Sequence, residues 1–190
     1  NGADYIHIDI MDGHYVPNIT FGPNIVKSLR KVTSKILDVH LMIKPVKKYI
    51  NEFVEAGSDI ITFHPEADDN PEEIIKMISD AEIKAGIAIH PEVNIADIDH
   101  LFSKVQQIIV MTVTPGFGGQ KFMHDQVQKI KDLDEIRKNN NYNYEIAVDG
   151  GVNNENAKIC KDNGADVLAV GSYLLSQNQN NYNEIINSLR

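Results

Sequence analysis

Seven short apolar runs alternate strictly with seven longer amphipathic stretches, which predicts an α/β fold with a parallel sheet and crossover helices. Most of the runs are apolar almost throughout, as strands covered on both faces are. Glycines cluster just beyond three of them, where the ligand end of such a sheet lies. An open doubly wound sheet could use seven such units, whereas a closed (β/α)8 barrel, the TIM-barrel architecture, needs eight; the start of the chain favours the barrel.

The strands are expected at Tyr5 to Ile10, Ile36 to Met42, Asp59 to His64, Ala85 to His90, Gln107 to Val113, Glu145 to Asp149 and Asp166 to Val170. Helices are expected at Asn24 to Lys31, Val46 to Ala56, Pro71 to Glu82, Ile95 to Lys104, Asp125 to Asn139, Asn154 to Asn163 and Asn181 to Leu189. Pro71 behind Asn70, and the start at Asn94, are ordinary helix openings: a proline whose missing N–H costs nothing and an amide side chain that caps. The Asn-rich tracts at 139–143 and 178–183 read as surface connections.

A small repeat bears on the length. Asn163-Gly164-Ala165-Asp166 closes a helix and enters a strand, Ala56-Gly57-Ser58-Asp59 does the same, and Asn1-Gly2-Ala3-Asp4 leads straight into the first strand. Glycine closes helices in the left-handed conformation, so by analogy residues 1–4 read as the tail of a further helix. A (β/α)8 barrel typically needs about 250 residues, with about 200 a lower limit. The 190 residues are therefore expected to form a single TIM-barrel domain, residues 1–190, holding seven of eight βα units with the N-terminal strand and helix missing. A sheet with two unpaired edges invites pairing with another chain, and a homo-oligomer is expected.

Composition narrows the partners. The chain carries 18 basic and 27 acidic side chains, a net charge of −9. An acidic surface without a Lys/Arg stripe repels nucleic acid and anionic lipid, so neither is an expected partner. No apolar run reaches the roughly 18 residues that would read as a membrane span. The opening Asn1-Gly2-Ala3-Asp4 has none of the character of a secretory leader, and the lone Cys160 forms no internal disulfide, so a reducing, cytoplasmic setting is expected.

In a parallel barrel the chemistry sits at the carboxyl ends of the strands. On the first strand, alternation places His7, Asp9 and Met11 on one face and Ile6, Ile8 and Ile10 on the other. The isoleucines suit the greasy layer under the helices, so the His/Asp/Met face points into the barrel. His40 and Met42 share a face at the end of the second strand, Met111 lies near the end of the fifth, and Asp149 ends the sixth. His7, Asp9, His40 and Asp149 thus form a two-His, two-carboxylate set. Such ligands suit one divalent ion such as Zn²⁺, Fe²⁺, Mn²⁺ or Co²⁺, and the absence of thiolate argues against a structural zinc cage. Two aspartates on nearly opposite strands are also what stereochemical inversion requires: Asp9 and Asp149 can remove a proton from one face of a carbon and return it to the other while a metal steadies the enediolate between.

The other side of the mouth suits phosphate. Pro115-Gly116-Phe117-Gly118-Gly119 follows the fifth strand, Gly150-Gly151 the sixth and Gly171-Ser172 the seventh. Glycines let backbone N–H groups approach an anion, which reconciles an acidic protein with a phosphorylated sugar. Met11, Met42 and Met111 either fill the core or form a soft, water-excluding lining over the substrate. His64 and His90 end their strands as His-Pro-Glu and are expected to support ligands or close strands rather than bind the ion. Asp12 is expected to brace its loop, and no expected strand offers an inward catalytic lysine.

Taken in order, these segments resemble the ribulose-phosphate 3-epimerase family: His7-Ile8-Asp9-Ile10-Met11-Asp12-Gly13-His14-Tyr15-Val16-Pro17-Asn18, Asp38-Val39-His40-Leu41-Met42, Val110-Met111-Thr112-Val113 through Pro115-Gly116-Phe117-Gly118-Gly119-Gln120-Lys121-Phe122, and Val148-Asp149-Gly150-Gly151-Val152. The resemblance implies a (β/α)8 barrel that interconverts D-ribulose 5-phosphate and D-xylulose 5-phosphate in the pentose phosphate pathway. It implies a divalent metal on His7, Asp9, His40 and Asp149, with Asp9 and Asp149 as acid and base. Substrate and phosphate contacts are implied at His40, Gly116, Phe117, Gly118, Gly119, Gly150, Gly151, Gly171 and Ser172, with Met11, Met42 and Met111 lining the substrate. Family members also begin with a strand bearing a substrate-contacting serine and a helix, which this sequence does not contain. Two alternatives stand beside this reading: an epimerase for allulose 6-phosphate, and a phosphate-binding fragment with impaired catalysis.

Overall fold

The computed structural model describes residues 2–190, so Asn1 of the Gly-x-Asp repeat lies outside the described residues. Seven strands, β1 (Tyr5–Met11), β2 (Ile36–Met42), β3 (Ile60–Phe63), β4 (Lys84–Ile89), β5 (Gln107–Met111), β6 (Glu145–Asp149) and β7 (Val167–Ala169), form one parallel sheet in sequence order. Helices α1 (Pro23–Arg30), α2 (Ile50–Glu55), α3 (Pro71–Asp80), α4 (Ile95–Ile98), α5 (Val127–Asn140), α6 (Ala157–Asp162), α7 (Ser172–Leu175) and α8 (Tyr182–Ser188) fall between and after them. The sheet curls until its first and sixth strands meet across the interior: Tyr5 Oη donates to Glu145 Oε1 at 3.0 Å. The result is a nearly closed α/β barrel, with β1 and β7 as its edges, consistent with a (β/α)8 fold lacking one element. No helix among the described residues is long and apolar enough to cross a membrane.

The period-two pattern of the strands fixes which side chains meet. Ile8, Ile10, Leu37, Val39, Leu41, Ile61, Phe63 and Ile87 turn outward into one apolar cluster with Val26, Phe53, Ile74, Ile78, Phe102, Leu133 and Cys160 from the surrounding helices and turns. Each fully buried side chain of this size contributes roughly 1.5–3 kcal/mol, which makes the sheet–helix layer the main source of stability. Burial also raises the Cys160 thiol to about 11, so it sits as an inert apolar group.

Element boundaries move where side chains capture backbone groups. The helix expected from Asn154 begins at Ala157, because Asn153 N donates to Asn156 Oδ1 and Asn156 N to Asn153 Oδ1, an Asn pair that satisfies the backbone without helix. The stretch from Ile95 to Lys104 divides into α4 and a 3₁₀ turn, and α2 opens on the 3₁₀ turn Lys47–Tyr49. Helix α7 and the 3₁₀ turn Gln179–Asn181 occupy a region expected to be loop. At α3 Asn70 Oδ1 accepts from Glu73 N at 3.2 Å, whereas Asn94 opens α4 without the side-chain cap expected of it.

The Gly-x-Asp repeat is a recurring clamp. Arg30 donates to Gly57 O and to Asp59 Oδ2, Arg137 to Gly164 O and Asp166 Oδ2, and Arg190 to Gly2 O and Asp4 Oδ2. In the first two copies the same aspartate oxygen also accepts a strand amide, Leu37 N or Ile146 N, both at 2.8 Å. Each of these two clamps therefore ties a helix end to two neighbouring strands. Arg137 is the most enclosed, with Asp134 and Tyr144 O as further acceptors. Arg137→Ala is expected to cost about 2 kcal/mol and lower Tm by roughly 4–8 °C. A thermal shift below about 1 °C in calorimetry would show the clamp to be decorative.

Candidate metal centre and active site

Strand register stacks the inward side chains in layers. His7 lies opposite Asp38, Asp9 opposite His40, Met11 opposite Met42 and Met111 opposite Asp149. At the amino end of the barrel Tyr5, Glu145 and Lys84 associate, with Lys84 Nζ 3.6 Å from Glu145. Lys84 is thus an inward lysine that the expected start of β4 at Ala85 had left out, and it sits at the end of the barrel away from the mouth. Above it, Gln107 Nε2 donates to Asp38 Oδ1 at 2.9 Å and to Thr62 Oγ1 at 3.2 Å. At the carboxyl end come His7, Asp9, His40 and Asp149.

These four residues converge, with one ligand atom from each within 4.8 Å of all the others. His7 Nε2 is 3.3 Å from Asp9 Oδ1 and 3.7 Å from Asp149 Oδ2, and His40 Nδ1 is 3.2 and 3.6 Å from the same two oxygens. Ligands about 2.0–2.2 Å from a common ion lie roughly 3.0–3.6 Å from one another, so this spacing fits one cation. His7 Nε2 is buried with no hydrogen-bond partner, a donor atom aimed into the cluster. With imidazole and carboxylate donors and no thiolate, the set suits a divalent ion.

The electrostatics point the same way. Burial alone would lower the pKa of His7, yet the Asp38 charge, the hydrogen bond to Asp38 and the neighbouring Asp149 and Asp9 carboxylates raise it well above the ordinary value. His40 is likewise raised, its burial outweighed by Asp149 and Asp9. Burial opposes ionisation of Asp9 and Asp149, and their bonds to His40 and His7 overcome it and pull both carboxyls down. The four side chains thus form a compact knot in which burial is opposed by mutual attraction, the imidazoles being shifted toward the protonated form and the carboxyls toward the ionised one.

Two features were less legible in the sequence, the role of Asp38 and the separation of the methionines. Asp38, only 2 % exposed, accepts from His7 Nδ1 at 2.8 Å and so fixes which nitrogen of His7 faces the cluster. The signal was the spacing Asp38-x-His40-x-Met42, which puts Asp38 on the inward face. Met11 and Met42 pack together with Val16, whereas Met111 packs with Ala88, Ile109, Val113 and Ala147 in the barrel interior; the three do not form one cluster. His64 is fully buried against His40, outside the four-residue set, and Asp12 braces its loop by accepting from His14 N and Lys44 N.

The glycine loops assemble beside Asp149. Thr112 Oγ1 donates to Asp149 O and to Gly150 O, locking the start of the β6 loop to the end of β5. Gly150 and Gly151 adopt φ of +120° and +65°. A Cβ on Gly150 would come within 2.9 Å of Val113 N, and one on Gly151 within 2.7 Å of Phe122 N. No other residue fits there. Gly118 and Gly119 face Ser172, a Cβ on Gly118 falling 3.3 Å from Ser172 Oγ, so loops β5 and β7 close on the same side of the mouth. Phe117 stands exposed at the rim, and Gly171 precedes α7.

Comparison with known proteins places this geometry. The ribulose-phosphate 3 epimerase family model matches residues 1–175. The chain is 45% identical over 177 residues to ribulose-phosphate 3-epimerase of Bacillus subtilis, covering 93% of this chain and 82% of that protein. It is 38% identical over 191 residues to the Escherichia coli protein of the same name, covering 100% and 84%. Among solved structures, 3-keto-L-gulonate-6-phosphate decarboxylase from Vibrio cholerae superposes with a TM-score of 0.71 at 17% identity, over 97% of this chain and 94% of that one, a likeness of fold alone. A match along nearly the whole chain, carried by relatives of one name, shows that the chain belongs to the ribulose-phosphate 3-epimerase family.

Proposed function

We propose that the chain is an isomerase that interconverts D-ribulose 5-phosphate and D-xylulose 5-phosphate by proton transfer at carbon 3. The observation that carries this is the pair Asp9 and Asp149, which reach the same two imidazoles from different strands. His7, Asp9, His40 and Asp149 would hold one divalent ion, Zn²⁺, Fe²⁺, Mn²⁺ or Co²⁺, which would supply positive charge against the charge that develops on the substrate oxygens. One aspartate, ionised, accepts the carbon 3 proton, and the other, protonated, delivers its own to the opposite face. The two carboxyls end the turnover with protonation exchanged, which is the state the reverse reaction starts from, and proton exchange with water resets them for another forward turnover.

Backbone amides of Gly116, Phe117, Gly118, Gly119, Gly150, Gly151 and Gly171, with the Ser172 hydroxyl, hold the phosphate. His40 turns Nδ1 to the metal position and serves the substrate through it. Met11 and Met42 exclude water on one side and Met111 on the other. Residues 1–190 act as one domain, whose apolar layer runs from Ile8 to Leu189. A reducing cytoplasmic setting and a homo-oligomer belong to the same reading; the exposed Ile19, Phe21 and Ile25 are the kind of surface a second copy covers. The test is an assay of metal-loaded protein on both sugars. Epimerisation of ribulose 5-phosphate well above that of allulose 6-phosphate is expected. A preference for the six-carbon substrate would overturn the assignment, and no turnover by fully loaded protein would point to a phosphate-binding module.

A further inference from the structure

His40 has two faces. Its Nδ1 looks into the cluster, and its Nε2 lies 3.0 Å from His64 Nε2 in a site where both rings are fully buried. Two ring nitrogens at that distance share one proton, so one of them donates and the other accepts. If His40 Nδ1 offers its lone pair to an ion, its Nε2 must carry the hydrogen, and His64 Nε2 must be the acceptor. A neutral His64 then has its own hydrogen on Nδ1, a buried nitrogen that makes no hydrogen bond and faces the Glu66 carboxylate, with Oε1 3.4 Å away. That carboxylate oxygen is itself fixed: Tyr15 Oη donates to it at 2.7 Å, and the Tyr15 ring stacks on His64 with centroids 4.7 Å apart.

His7 supplies the comparison. Its outward nitrogen meets a carboxylate directly, at Asp38, whereas that of His40 meets one through a second imidazole. Both ligating rings are thus backed by an anion, by two routes. The second route also ends on the loop that crosses the mouth. Tyr15 shares that loop with Asn18, which donates to Gly116 O at 2.8 Å, and with Thr20, whose hydroxyl donates to Asp9 O at 2.7 Å.

We propose that His64, backed by Glu66 and Tyr15, is a positioning residue that fixes the tautomer and ring orientation of His40 so that Nδ1 is presented to the metal. The proposal rests on the metal site described above, and its test reads the two apart. Metal-stripped wild type, His64→Phe and His64→Gln are titrated with Co²⁺ and followed by visible absorption. His64→Phe removes the acceptor, and Co²⁺ affinity is expected to fall about 10–100-fold. His64→Gln keeps a carbonyl acceptor for His40 Nε2–H and should recover most of the loss. Wild type that binds no Co²⁺ would sink the metal site itself. Tight Co²⁺ binding by wild type with His64→Phe within about twofold of it, or with the Gln variant as weak as the Phe variant, would overturn the relay alone. Ring-nitrogen NMR of Zn²⁺-loaded wild type covers the case in which His64→Phe does not fold: a hydrogen on His64 Nδ1 and on His40 Nε2 is expected, and a hydrogen on His64 Nε2 overturns the proposal.

Discussion

Asp9→Asn and Asp149→Asn should each lower epimerisation by about 10³-fold or more, the upper part of the range for removing a positioned acid or base. An amide keeps the size and one oxygen of the carboxylate, but it cannot take a proton at any working pH. The two groups come from different strands to the same imidazoles, which supports the proposal that they act on one carbon from opposite sides. Exchange with solvent deuterium at carbon 3 separates their roles. Each variant is expected to lose exchange from the epimer whose C–H faces the missing base. Metal content must be measured alongside, because both residues are also proposed ligands; a variant that retains the ion and loses turnover isolates the proton transfer. Cys160→Ala, in the layer beneath the helices, should leave turnover and exchange intact. Wild-type exchange from both epimers in either Asn variant would refute the two-base scheme.

Most of the architecture was legible because a strand covered on both faces leaves an apolar run that nothing else in the chain imitates. The inward face of β1 could be read from alternation alone, since Ile6, Ile8 and Ile10 have only one greasy layer to enter. What was hidden depends on register and curvature, which no local pattern encodes. Asp38 becomes a partner of His7 only once β1 and β2 are paired residue by residue. His64 meets His40 because β3 lies beside β2, and Met111 parts from Met11 and Met42 because the sheet bends between them. Boundaries slipped at Asn153, Asn156, Asp59 and Asp166, where a side chain takes the hydrogen bond that would have extended the element. The short helix α7 carries too few residues for a period to show.

Asp38→Asn should weaken metal binding about 10–100-fold while leaving the barrel folded. The substitution is nearly isosteric, and the neighbours can absorb it. The amide keeps one oxygen for His7 Nδ1–H, and its N–H₂ meets Gln107, whose Oε1 is buried without a partner and can turn toward it. What is lost is charge. Asp38 is the largest of the influences that raise His7, so the variant's His7 titrates closer to the ordinary value. In metal-stripped wild type the raised His7 stabilises the fold fully below about pH 6.5, and that contribution disappears as the pH climbs through the folded-state value. The variant should show a weaker decline of stability over the same window. Because raised pKa values favour protonated His7 and His40, which must shed protons to accept an ion, metal uptake near neutral pH should release protons, and Asp38→Asn should release fewer. Titration calorimetry in two buffers of different ionisation enthalpy reads affinity and proton count together. Unchanged affinity with unchanged release would mean that His7 is oriented by packing and that Asp38 serves only the polar layer with Gln107 and Thr62.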